Sequence, residues 1–139
     1  MEPAGVSVVA YVIEPKTVAA LSVLGVELND AAVWLRDHEL IHAVRYDKLD
    51  RGAALPLDVW LNLSGYLEQA IPYWDTVNQN LVYVFDLPEK AGKVAVHVNY
   101  SAKVRDGGKR KNIKSNFIST GGMVDTRNFS GSAYVRLEK

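Results

Sequence analysis

Cysteine is absent from the chain. That excludes disulfides, thiolate catalysis and every zinc site built on thiolates, and leaves histidine and carboxylate as the available metal ligands. Long hydrophobic runs are missing too. No stretch approaches the roughly 18 to 20 apolar residues of a membrane-spanning helix, and the first residues lack the basic and cleavage regions of a signal peptide. The expectation is a soluble intracellular domain with no membrane partner. Net charge is also missing, since 16 Lys and Arg balance 16 Asp and Glu, but the balance conceals an asymmetry. Residues 1–100 carry 7 cationic against 13 acidic side chains, and residues 101–139 carry 9 against 3. Lys103, Arg105, Lys109, Arg110, Lys111 and Lys114 crowd together with only Asp106 among them. Such a segment raises the local potential for an anion such as phosphate; a solvated hairpin loop is the plainer reading.

At 139 residues the chain suits one domain and is long enough to bury roughly two-thirds of its unfolded surface. Val6 to Ile13 is β-branched and apolar and predicts a buried strand. Pro15 opens a short helix on Val18, Leu21 and Leu24, which Gly25 is placed to end. Val33-Trp34-Leu35 forms a short apolar piece, and Asp37 can cap a following helix that runs to about Tyr46. A further helix is expected from Leu57 to Ala70, broken near Ser64-Gly65, with Trp60, Leu61 and Leu67 in the core. After Pro72 the pattern turns to alternation. Strands are expected at Tyr73 to Thr76, Leu81 to Leu87, Lys93 to Tyr100, Ser101 to Arg105 and Lys111 to Thr120, with Asp106-Gly107-Gly108 as a turn and Gly121-Gly122 as a stop. Tyr134 to Leu137 can add an edge strand. The fold class predicted is α+β, with N-terminal helices packed on a C-terminal antiparallel four-stranded β-meander and an additional N-terminal strand-helix unit. Within the single domain 1–139, residues 1–30 form that extension, 31–125 the core and 126–139 an edge segment.

The motif that draws attention is His38-Glu39-Leu40-Ile41-His42. On a helix it sets two imidazoles one turn apart, the pattern of a zinc peptidase with Glu39 as general base. Its surroundings argue against that reading. The extended form needs a third histidine where Lys48 stands and a glycine where Arg45 stands. Glu68, the sole glutamate of the next helix, lacks neighbours suited to orient a metal ligand. The same helix face reads differently as His42 and Arg45 with Lys48 or His38 nearby. That is a general acid or base beside phosphate-binding cations, the set that RNA cleavage by its own 2′-hydroxyl requires without a metal or other cofactor. Lys103, Lys111 and Lys114, with Tyr100 and Phe117 interleaved, can hold a backbone and stack bases, although Phe117 fits a core position at least as well. His97 reads as a tolerated strand histidine, and Asn99, Ser119 and Thr120 as ordinary strand-end polar residues.

Val33-Trp34-Leu35-Arg36-Asp37 with Leu40, His42 and Arg45, then Leu81 to Phe85, Val94 to Lys103 and Ile118 to Val124, resembles the phage-associated members of the barnase/EndoU/colicin/RelE-like (BECR) nuclease fold. The resemblance covers roughly residues 30–125. It departs at Arg36, where relatives often carry a small hydroxyl residue. It implies a metal-independent endonuclease acting on RNA, with the active site on the sheet face against the first core helix. His42, Lys103 and Thr120 take catalytic roles by this resemblance, with Arg45 as a phosphate contact. Lys48, Asn99, Tyr100, Lys111 and Lys114 are the expected substrate-binding residues. The partners it implies are nucleic acid and a phage structural protein or parent polypeptide, and the location is the host cytoplasm or the virion. Two other readings stay open: the zinc peptidase using His38, Glu39 and His42, and a non-catalytic module that binds nucleic acid or a virion partner through the basic hairpin.

Overall fold

The computed structural model describes residues 7–36, 55–88, 90–106, 108–125, 131 and 133–139. The first strand, β1 (Ser7–Val12), leads into α1 (Pro15–Val23). Pro15 occupies the first helical turn, where a missing N–H costs nothing. The helix ends in a Schellman arrangement: Val26 N–H reaches the Leu21 carbonyl at 2.9 Å and Gly25 N–H the Ser22 carbonyl at 2.9 Å. Gly25 sits at φ +87°, where a side chain would be strained. The chain continues as β2 (Ala32–Arg36), then α2 (Leu57–Leu61) and α3 (Leu63–Gln69), separated at Asn62. The remaining elements are β3 (Ile71–Asp75), β4 (Asn80–Asp86), β5 (Ala91–Asp106), β6 (Lys109–Val124) and β7 (Tyr134–Arg136).

All seven strands form one sheet in the order β1-β2-β6-β5-β4-β3-β7. Every neighbouring pair is antiparallel except β2 and β6, which run parallel. The expected architecture is therefore corrected. Of the described residues 54% are in strands and 19% in helices, and the sheet is mixed and seven-stranded rather than a four-stranded meander under N-terminal helices. The physical reasons lie in which strands pair. The β-branched N-terminal strand is an edge of the main sheet, because it pairs along its length with β2. Val33-Trp34-Leu35, expected as a lead-in to a helix, is itself a strand that seats against β6. The two pieces expected on either side of residue 100 are one continuous strand, and Gly121-Gly122 does not stop β6, which runs on to Val124. The helix expected from about Asp37 to Tyr46 lies outside the described residues.

Alternation along β4 sorts the core into two faces. Leu81, Tyr83 and Phe85 join Val94, Val96, Ile118 and Val33 under Leu21 of α1, Val59 and Trp60 of α2, and Leu63 and Leu67 of α3. Val82 and Val84 turn the other way, to a smaller cluster with Ala91 and Ala95 beneath Tyr73, Val124 and Tyr134. Leu61, expected in the core, is 74% exposed, since Val59 and Trp60 turn the buried side of α2 inward and Leu61 lies past them around the helix. Gly121 lies where the sheet and α2 meet: a Cβ there would come within 2.8 Å of the Trp60 ring. At the C-terminal end of α3, the Lys139 ammonium donates to the carbonyls of Leu67 and Ala70, each at 2.7 Å, and to that of Glu68. It thereby satisfies acceptors the helix leaves open.

Candidate functional site

The two longest strands outrun their neighbours. β4 pairs with β5 only from Ala91 to Val96, and β2 pairs with β6 only at Asn116 and Phe117. From Tyr100 to Asp106 and from Lys109 to Ser115 the two strands pair with each other alone. They make a two-stranded ribbon roughly 20 Å long at about 3.3 Å per residue, closed by a turn with Gly108 at φ +80°.

The ribbon carries the cationic segment, and its register sorts the charges. Ser101 stands opposite Lys114, Lys103 opposite Asn112 and Arg105 opposite Arg110. Successive residues alternate faces, so Lys103, Arg105, Arg110 and Lys114 share one face. Directly opposed like charges destabilise a ladder, so the Arg105–Arg110 pair opposes the ribbon's own stability unless an anion lies over it. On the other face Val104 is buried, Ala102 and Ile113 are half-buried, and Lys109 and Lys111 are exposed toward the tip.

At the base of the ribbon three asparagines lock the strands to the loop between α1 and β2. Asn99 interrupts the ladder: Val98 and Asn99 together face Asn116, and Asn99 takes φ +54°. Asparagine tolerates this left-handed conformation better than most residues. Its side-chain oxygen accepts from the Asn29 N–H at 2.8 Å, and its side-chain nitrogen donates to the Glu27 carbonyl at 2.8 Å. Asn116, fully buried, accepts from the Asn99 N–H at 3.2 Å and donates to the carbonyls of Asp30 at 2.8 Å and Ala32 at 2.9 Å. Asn29 donates in turn to the Lys114 carbonyl at 2.6 Å.

The bulge at Asn99 has a chemical effect on the opposite face. Strict alternation would set His97 and Tyr100 on opposite sides of β5; the extra residue brings them to the same side. Their rings lie parallel, with centroids 5.0 Å apart and 7° between planes. Tyr100 also meets the edge of Phe117 at 6.0 Å, and the Arg36 guanidinium lies 4.9 Å over the Phe117 ring. His97 is exposed and Tyr100 is 43% exposed, whereas Phe117 is buried beneath them.

The expected site residues therefore divide. Tyr100 and Lys114 lie near each other at the ribbon base, with Lys103 and Lys111 farther out along it. Thr120 is not with them. It is half-buried opposite Ala95, eight residues along β5 from Lys103, a separation of roughly 25 Å in an extended strand. Lys103 and Thr120 cannot contact one phosphate together. Asn99 commits its side-chain amide to the α1–β2 loop rather than to a ligand. His38, Glu39, His42, Arg45 and Lys48 lie outside the described residues. Among the described residues no group of three His, Asp or Glu side chains is disposed to hold a metal ion, and no helix is long and apolar enough to cross a membrane. From the sequence His97 reads as a tolerated strand histidine, Arg36 only as a departure from the resemblance, and Asn116 has no role. The one cue to them was an asparagine, tolerant of positive φ, inside an otherwise regular strand. Comparison with known protein families, curated proteins and solved structures gave no match.

Proposed function

We propose that this protein binds nucleic acid along the β5–β6 ribbon and acts on RNA as a metal-independent endonuclease. The observation that carries the proposal is the sorting of Lys103, Arg105, Arg110 and Lys114 onto one face of a projecting ribbon. A row of cations on one face is what neutralisation of successive phosphates requires, with affinity that falls as salt rises. The cleaving role rests on the His42 and Arg45 pattern and on the family resemblance. In that chemistry one group takes the 2′-hydroxyl proton, the 2′-oxygen attacks phosphorus, another group protonates the departing 5′-oxygen, and a cation stabilises the crowded phosphorane. In this reading Lys103 holds the backbone and does not react alongside Thr120, from which it lies eight register positions away along β5.

Purified protein incubated with RNA in excess chelator is expected to cut it. His42→Ala is expected to stop cleavage and leave binding intact. Cleavage that appears only on addition of zinc overturns the metal-independent reading. Binding without cleavage in chelator, equal for the parent and for His42→Ala, reduces the function to a nucleic-acid-binding module.

A further inference from the structure

We infer that the cationic face of the β5–β6 ribbon docks on paired RNA, lying flat across the shallow minor groove of an A-form helix. This inference rests on the nucleic-acid reading of the ribbon and deepens it by naming the ligand as double-stranded. Phosphate contacts alone do not make that choice, but the register does. Ser101 stands opposite Lys114, Lys103 opposite Asn112 and Arg105 opposite Arg110, so six residues on three successive rungs share one face. Arg105 is half-buried and the other five are exposed. Every one of the six carries a hydrogen-bond donor, and none is acidic, apolar or aromatic. The two rungs nearer the base each join one long cation to one short polar residue, and the cation changes side, from β6 at Lys114 to β5 at Lys103.

Three features select the occupant. Single strands are held by cations interleaved with aromatic rings on which the bases stack. Alternation turns Tyr100 to the opposite face from Ser101 and Lys103, so a ligand on the cationic face keeps its bases stacked on one another, as a duplex does. The cations also run in two lines, Lys103 and Arg105 along β5 and Arg110 and Lys114 along β6, about 5 Å apart at the backbone. Long side chains leaning out from two lines meet the two phosphate rows that flank a groove, whereas a single strand offers one row. Finally, the ribbon is covered from behind: Val104 is 1% exposed, and Ala102 and Ile113 are half-buried. The B-form major groove, about 8.5 Å deep, takes in a ribbon that projects freely. A flat face with protein behind it suits the A-form minor groove, which is wide and shallow and displays 2′-hydroxyls. Ser101 and Asn112 each donate and accept hydrogen bonds, as the 2′-hydroxyl does.

The test measures equilibrium binding of the full chain to four probes of one sequence, with the integrity of each RNA checked on a denaturing gel. They are an RNA duplex, the same duplex with 2′-fluoro sugars, a DNA duplex and one RNA strand alone. The RNA duplex is expected to bind about 5- to 100-fold tighter than the 2′-fluoro and DNA duplexes, the worth of two hydrogen bonds to 2′-hydroxyls, and tighter than the single strand. Asn112→Ala is expected to weaken RNA-duplex binding about 2- to 10-fold, the worth of one such bond. Its DNA-duplex affinity and salt dependence should match those of the parent, which a misfolded ribbon would not preserve. Arg110→Ala is expected to weaken binding to every duplex and to flatten the salt dependence. Equal affinity for the RNA duplex and either other duplex overturns the inference, as does tightest binding to the single strand or parent-like RNA-duplex binding by Asn112→Ala. If it falls in one of these ways while binding stays salt-dependent and is weakened by Arg110→Ala, the ribbon reading stands alone. Binding that does not respond to salt overturns both.

Discussion

Asp75 shows at the scale of one side chain how the protein uses buried charge. Its carboxylate is 4% exposed and accepts from the N–H groups of Val77 and Asn78, each at 3.0 Å, and from the Asn78 side-chain amide at 2.9 Å. Burial pushes the carboxyl up, but the hydrogen bonds from Asn78 and Val77 and the charge of Lys93 outweigh it and hold the group below its ordinary value of 3.8. A carboxyl depressed in the folded state adds stability that is present above its unfolded value and lost as the pH falls through the folded one. Asp75→Asn is therefore expected to lower stability at neutral pH by about 1.5–3 kcal/mol, the range for hydrogen bonds to a charged group. Thermal melts should show the difference between variant and parent shrinking as the pH is taken below 3.8. A gap that stays constant through acid pH would mean that the charge on Asp75 contributes nothing to the turn between β3 and β4.

At the scale of one element, the β5–β6 ribbon is where sequence pattern and structure agree in part and separate in part. The turn at Asp106-Gly107-Gly108 was legible, because glycine supplies the positive φ that such a turn demands. The cation cluster was legible as composition. Its sorting was not, because which charges share a face depends on register, and register depends on the bulge at Asn99. If the shared face holds phosphates, removing Lys103 and Lys114 together by substitution with Ala should lessen the slope of log affinity against log salt. The expected reduction is about 0.7 for each contact on a single strand. Titration of binding across salt concentrations measures it, and an unchanged slope would place those two side chains away from the ligand.

At the scale of the whole molecule, the sheet holds together across one narrow seam. β1 and β2 form a hairpin-like pair that, among the described residues, pairs with the other five strands at two parallel register positions, Val33 with Asn116 and Trp34 with Phe117. Asn116 reinforces the seam from within, with its buried amide bonded to the carbonyls of Asp30 and Ala32. Replacement by Leu takes the amide from the Asp30 carbonyl and the Asn99 N–H and leaves the Ala32 carbonyl only the Ser115 hydroxyl at 3.3 Å, at a cost of about 1–3 kcal/mol for a buried unsatisfied group. Hydrogen exchange should then accelerate in β1 and β2 ahead of β3, β4 and β5, since local opening follows the weakest contacts. Uniform acceleration across the sheet would show that the seam is no weaker than the rest.

The sequence by itself determined the local pieces. β-branched runs gave β1 and β4 their strand character, Pro15 and Gly25 bounded α1, and Gly108 took the positive φ at the ribbon's turn, because each of these depends on the dihedral preferences of a few adjacent residues. Tertiary structure decided what those pieces became. The N-terminal strand is an edge of one mixed sheet, not an extension, because β2 could pair in parallel with a strand eighty residues away, and no local pattern encodes that partner. The resemblance puts Lys103 and Thr120 in one catalytic set, yet the pairing of β5 with β6 holds them roughly 25 Å apart at about 3.3 Å per residue. His97 and Tyr100 look opposed by alternation, yet one extra residue at Asn99 stacks them. In each case the deciding quantity was register, a property of two strands together that neither strand carries alone.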